Sequence, residues 1–241
     1  SSTPCARVRT LLAHTSILRA ILTDDTDYHA EPMKWTPYHG GGLFYSIDIP
    51  TISVGGKSVQ VSWRPIVDSG TTFSFVRSST FRKMKSAFDA ACSTAEYACT
   101  ANSARNPHGT NSEDVRTSIG CWKFDVKPSG VLTEKGNEQI ATYPPIEFEL
   151  AGGFQACIPP EQYFFLSDNN IHCVGINSDP QDVIGANLMA DFDVVFDQQS
   201  LRMGWARAHC DKPGSPLPTC GHFAKARQSA DKAPVTAPSP Q

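Results

Sequence analysis

Pro65-Ile66-Val67-Asp68-Ser69-Gly70-Thr71-Thr72-Phe73 places a single carboxylate directly after an apolar run, with hydroxyl residues on either side of a glycine. An apolar strand that ends in such a turn presents Asp68 at its tip, and Gly70 frees the backbone there. Hydroxyl and amide donors hold a carboxylate in one orientation, and an apolar flank limits its solvation. That is the setting in which two carboxylates can share one proton. The stretch alone also fits an ordinary Asp-Ser-Gly turn, so a second element must separate the two readings.

That element lies more than 100 residues downstream. Asp182-Val183-Ile184-Gly185-Ala186-Asn187 sets an apolar pair before a glycine, and Phe192-Asp193-Val194-Val195-Phe196-Asp197 then leads into Leu201-Arg202-Met203-Gly204-Trp205-Ala206. Together with the Asp68 motif, these stretches resemble the C-terminal lobe of a pepsin-like aspartic protease. In that family an apolar-apolar-Asp-Ser/Thr-Gly-Thr motif and a later apolar-apolar-Gly motif build a psi-shaped loop in each lobe. The resemblance runs from about Trp35 to Cys210. It implies an all-β fold, with 35–210 as the catalytic lobe and 1–34 as the end of a first lobe and its connection.

By the same resemblance Asp68 is a catalytic aspartate, supported by Ser69, Gly70 and Thr71, with Thr72 and Phe73 facing a substrate cleft. Ser69 would join the brace between lobes, Thr71 would bond the carboxylate, and Gly70 would let substrate or water approach the backbone. The family needs one aspartate from each lobe, and this sequence departs from that pattern. Thr23-Asp24-Asp25-Thr26-Asp27 lacks the glycine and the apolar flanks, and the first lobe's flap tyrosine has no counterpart. The implied partners are an N-terminal lobe carrying the other aspartate and a peptide or protein substrate. Two other readings stand beside the protease: a binding or inhibitor protein that keeps the fold without catalysis, and a homodimeric retroviral-type protease with one aspartate per chain. The length of the lobe disfavours the last.

Composition is consistent with this. With 21 Lys+Arg against 24 Asp+Glu and a net charge of −3, nothing supports a nucleic-acid partner. No apolar run approaches the roughly 18 residues of a membrane span, and a 40% hydrophobic fraction excludes wholesale disorder. Eight cysteines without close pairs read as disulfides instead of zinc ligands. An oxidising compartment follows, the secretory lumen or the extracellular space, and the start at Ser1 places any routing segment upstream. The resemblance implies Cys121 with Cys173, and Cys5 with Cys210 as in β-secretase-type members; Cys92 and Cys99 are spaced to close a local loop. Cys157 and Cys220 are unassigned. The Pro- and Ala-rich residues 211–241 read as a tail, and a plasmepsin V-like or β-secretase-like arrangement would place a membrane tether beyond it.

Alternating patterns predict strands over 43–49, 59–63 and 194–196, with a hairpin at Val54-Gly55-Gly56-Lys57-Ser58. One helix is predicted over 79–92 behind a serine cap, and 94–117 reads as a surface loop. The seven histidines sit in unlike contexts and read as structural or solvated. Gly40-Gly41-Gly42 precedes a strand and is no phosphate cradle, and Asp191, Asp193 and Asp197 read as a solvated face. No metal or cofactor is implied.

Overall fold

The computed structural model describes residues 7–11, 29, 31–40, 44–104 and 118–208. It is all-β with short helices. Among the described residues, strands β1 (Arg7–Leu11), β2 (Lys34–His39), β3 (Ser46–Ile47), β4 (Ile49–Val54), β5 (Lys57–Trp63), β6 (Ile66–Val67), β7 (Ser74–Val76), β8 (Asn102–Ala104) and β9 (Cys121–Lys123) form the first half. The second half holds β10 (Ile146–Leu150), β11 (Phe154–Ile158), β12 (Phe164–Asp168), β13 (Ile171–Val174), β14 (Ile176–Ser178), β15 (Val183–Ile184), β16 (Phe192–Asp197) and β17 (Arg202–Arg207). Helices are α1 (Ser78–Ala91), α2 (Glu134–Ile140), α3 (Pro160–Tyr163) and α4 (Ala186–Met189).

Three sheets result. The largest runs β1-β16-β17-β2-β3-β6-β15-β7-β14, and the others run β11-β10-β4-β5 and β12-β13-β9-β8. In the β11-β10-β4-β5 sheet one face is apolar. Ile52, Val54, Ile146, Phe148, Ala156 and Ile158 are buried and share one face, as the period of two requires. The hairpin between β4 and β5 turns through Gly55 and Gly56 at φ +56° and +74°, the positive angles a tight two-residue connection demands. Helix α1 lays Phe81, Met84 and Phe88 into the core at helical spacing. The aromatic rings of Trp63 and Phe148 meet at 5.4 Å, and Phe88 reaches Trp122 at 5.7 Å.

Several expectations need correcting. Helix α1 starts at Ser78, its N-cap is Arg77, and no side chain caps it in the expected serine manner. Helix α2 escaped notice because Gly136 breaks its propensity. Its start is fixed by Thr133, whose hydroxyl accepts from the Gly136 amide at 3.1 Å. Part of the supposed surface loop over 94–117 is strand β8, pairing with β9. Asp193 and Asp197 are not a solvated face, being 1% and 6% exposed. Asp193 pairs with His29, 164 positions away, at 2.9 Å, and Asp197 with Arg202, its cross-strand neighbour in the β16–β17 hairpin, at 2.8 Å, so both carboxylates are met by partners and lie inside.

Cys121 and Cys173 stand directly opposite on β9 and β13, with Cα atoms 4.0 Å apart, and are joined by a disulfide. Cys92 and Cys99 close a loop just after α1, and Cys157 is disulfide-bonded too. Cys5, Cys210 and Cys220, with the tail at 211–241, lie outside the described residues. Among those residues no helix is long and apolar enough to cross a membrane.

Glu147 sits on the polar face of the four-stranded β11-β10-β4-β5 sheet, opposite Ser53 and Cys157, yet is only 2% exposed. Among the described residues neither carboxyl oxygen has a hydrogen-bond partner. Burial pushes its pKa from an ordinary 4.5 up to about 8. The folded state therefore holds this proton more tightly than the unfolded chain. Its stabilising contribution is full below pH 4.5 and is lost as pH rises from 4.5 towards 8, by at most about 1.4 kcal/mol per pH unit. Glu147→Gln should remove that slope. Urea unfolding at pH 5 and pH 8 is expected to show the variant's advantage over wild type growing with pH; a constant difference would refute it.

Candidate active site

Asp68 directly follows strand β6, in the interior of the large sheet. Between β6 and β7, which the Asp68 turn connects, lies a third strand: β15 pairs parallel to β6 and antiparallel to β7. The result is a psi-shaped crossing, with Asp68 at its mouth. The Asp68 amide donates to the Ile184 carbonyl at 2.9 Å, and the Ile66 amide to Asp182 O at 3.0 Å. The carboxylate is gripped locally. Oδ1 accepts from the Gly70 amide at 2.9 Å and Oδ2 from the Thr71 hydroxyl at 2.6 Å, which fixes its plane. Asp68 and Thr71 are half-buried, while Ser69, Gly70 and Thr72 are exposed.

The far arm of the turn is held by the first residues of α4. The Ala186 amide donates to Thr71 O at 2.7 Å and the Asn187 amide to Thr72 O at 3.1 Å. Two polar residues, Ser74 and Asn187, to which the sequence reading gave no role, complete the support. Ser74 Oγ donates to Asn187 Oδ1 and accepts from the Gly185 amide, both at 2.9 Å, and Asn187 Nδ2 donates to the Gly175 carbonyl at 2.8 Å. Ser74 directly follows the first motif and Asn187 ends the second, so their position was the available signal. A Cβ on Gly185 would fall 2.3 Å from Phe73 O and 2.7 Å from Thr71 O. Space, not φ, excludes any side chain there.

Aromatic residues lie on the elements around the Asp68 turn. The Phe73 and Phe165 rings lie 4.2 Å apart between centroids. Ser46 pairs antiparallel with Ile66 and the Val67 amide donates to Tyr45 O, so continuing that register sets Phe44 level with Asp68, and Phe44 is 59% exposed. Sequence reading used Phe44 only as a strand residue. Among the described residues no cluster of His, Cys, Asp or Glu could hold a metal ion.

The sequence profile of the family described as "Xylanase inhibitor C-terminal" matches residues 44–207, from Phe44 to the end of β17. The chain belongs to this family. It is a branch of the pepsin-like aspartic proteases, and the β-rich lobe with its psi crossing is that fold's C-terminal lobe. An Arabidopsis thaliana protein named "Aspartyl protease family protein 1" is 24% identical over 167 residues, covering 69% of this chain and 28% of its own length. An aspartic proteinase of Oryza sativa subsp. japonica is 24% identical over 202 residues, covering 78% of this chain and 46% of its own. The chain thus spans less than half the length of these relatives.

In this xylanase inhibitor C-terminal fold the glycine contact gives a direct test. Gly185→Ala should push the Thr71–Phe73 backbone away and destabilise the lobe by about 1–3 kcal/mol, the usual cost of overpacking. A Tm within one degree of wild type would show that the close approach is not a constraint.

Proposed function

We propose that the chain is the second half of an aspartic endopeptidase, with Asp68 as one of its two catalytic carboxylates. The double grip of Gly70 and Thr71 on Asp68, at the mouth of the psi crossing, carries this reading. A surface turn aspartate needs no strand inserted behind it to hold its own amide. The names of the two plant relatives support the same class, and their greater length leaves room for a first lobe with the other aspartate.

One carboxylate, as base, takes a proton from a water held between the pair while that water's oxygen attacks the scissile carbonyl carbon. The other, as acid, protonates the carbonyl oxygen. The tetrahedral intermediate then collapses, the C–N bond breaks, and a proton passes to the leaving amine. No covalent enzyme intermediate forms. Ser69, exposed beside Asp68, is placed to meet the partner lobe, and Thr72, Phe73 and Phe44 form the wall of a cleft for a peptide or protein substrate. The disulfides suit the secretory lumen or the extracellular space.

The family description supports a second reading, a protein that binds a partner enzyme without hydrolysing it. The two differ on Asp68. Asp68→Asn keeps the size of the side chain and an acceptor for Thr71 but removes its acid–base function. In the protein assembled with its first lobe, peptide cleavage should fall roughly a thousandfold, within the range general acid–base catalysis contributes, with an unchanged circular dichroism spectrum. Near-wild-type turnover in that variant would overturn the protease reading, and a wild type that never cleaves peptides would favour the binder.

A further inference from the structure

Asp182 sits just before β15, and its side chain is 3% exposed. Both its oxygens serve a single residue 105 positions away in sequence: Oδ1 accepts from the Arg77 amide at 2.9 Å, and Oδ2 accepts from Arg77 Nε at 2.5 Å. The Arg77 guanidinium, 58% exposed, also ion-pairs through Nη2, so it closes over the carboxylate from the solvent side. Arg77 is the residue between β7 and α1, and its own carbonyl accepts from the Phe81 amide at 2.9 Å in the first helical turn. Asp182's main-chain carbonyl meanwhile holds Ile66, two residues before Asp68.

One residue therefore joins the entry to β6, the start of β15 and the start of α1. This matters because β15 and β6 have only two residues each, and β15 meets β7 through a single pair, Val183 with Phe75. So few backbone bonds specify register weakly, and a one-residue slip would turn every side chain over. Ile184, two residues past Asp182, supplies the acceptor for the Asp68 amide.

We propose that Asp182, clamped by Arg77, is a positioning residue for Asp68: it locks the register of β15 against β6 and β7 and so holds the carboxylate in place. It touches neither Asp68 nor substrate. The positioning claim rests on the reading of Asp68 as catalytic, but its structural half can be read without activity.

The test uses the protein assembled with its first lobe and compares wild type, Asp182→Ala, Asp182→Asn and Arg77→Met. Amide hydrogen exchange is followed at Ile66 and Asp68, with Val194 and Trp205 in the β16–β17 pair as remote references. Asp182→Ala should speed exchange at Ile66 and Asp68 about tenfold or more with the references unchanged, as expected for local opening. It should lower kcat by roughly 10- to 100-fold at nearly constant KM, the cost of a displaced catalytic group. Asp182→Asn, which keeps an acceptor for the Arg77 amide, should recover part of both effects. Arg77→Met, which leaves that bond intact, should be intermediate and serves if Asp182→Ala does not fold. Unchanged exchange at Ile66 and Asp68, or equal acceleration at the reference amides, would overturn the clamp, as would a loss confined to KM. If wild type and all variants lack peptidase activity while the local exchange pattern holds, the clamp stands and the catalytic reading of Asp68 fails.

Discussion

A strand of two residues, Val183–Ile184, wedged between two strands that a tight turn connects, is the constraint on which the Asp68 end of this molecule depends. Without it β6 would end in an ordinary surface turn. With it, the Asp68 amide has an interior acceptor, the turn cannot relax outward, and Gly70 and Thr71 are brought to the carboxylate as donors. The insertion is possible because Gly185 has no side chain where the Thr71–Phe73 backbone passes. It is held because Ser74, Asn187 and Asp182 turn polar groups that would be costly to bury into partners for one another and for nearby backbone.

The rest of the lobe gives this crossing a rigid support. Helix α1 packs across the hairpin β4–β5, and the rings of Phe88, Trp122, Tyr143 and Phe164 contact one another where the helix meets the β12-β13-β9-β8 sheet. The Cys121–Cys173 disulfide ties two strands of that sheet at directly opposed positions. At the other end, β1 runs parallel to β16, and His29 reaches Asp193 from the segment ahead of β2, so residues N-terminal to β2 are stitched into the large sheet. Arg207, whose pKa burial lowers to about 10, lies 4.1 Å over the Phe192 ring and donates to Gln162.

Much of the site was legible because its chemistry is local. Asp68, Gly70 and Thr71 lie within four residues, and the bonds that unite them run between near neighbours. The hairpin at Gly55-Gly56 and the core stripe of α1 were legible for the same reason. Helix α2, strand β8 and the burial of Asp193 and Asp197 were not: a seven-residue helix containing Gly136 has little propensity, and a carboxylate reads as solvated until its partner, here His29 from far along the chain or Arg202 across the hairpin, is known.

The sequence by itself determined the apolar strand, the Asp-Ser-Gly-Thr turn, the second apolar-apolar-Gly motif and, through their likeness to a known lobe, the class of fold. Only the tertiary structure decided that β15 threads between β6 and β7, that Asp182 meets Arg77, and that Phe44 lies level with Asp68. Turn chemistry acts over a few bonds and leaves a trace in neighbouring residues. Pairing across 105 positions depends on which strands become neighbours when the whole core closes, and no local pattern encodes that.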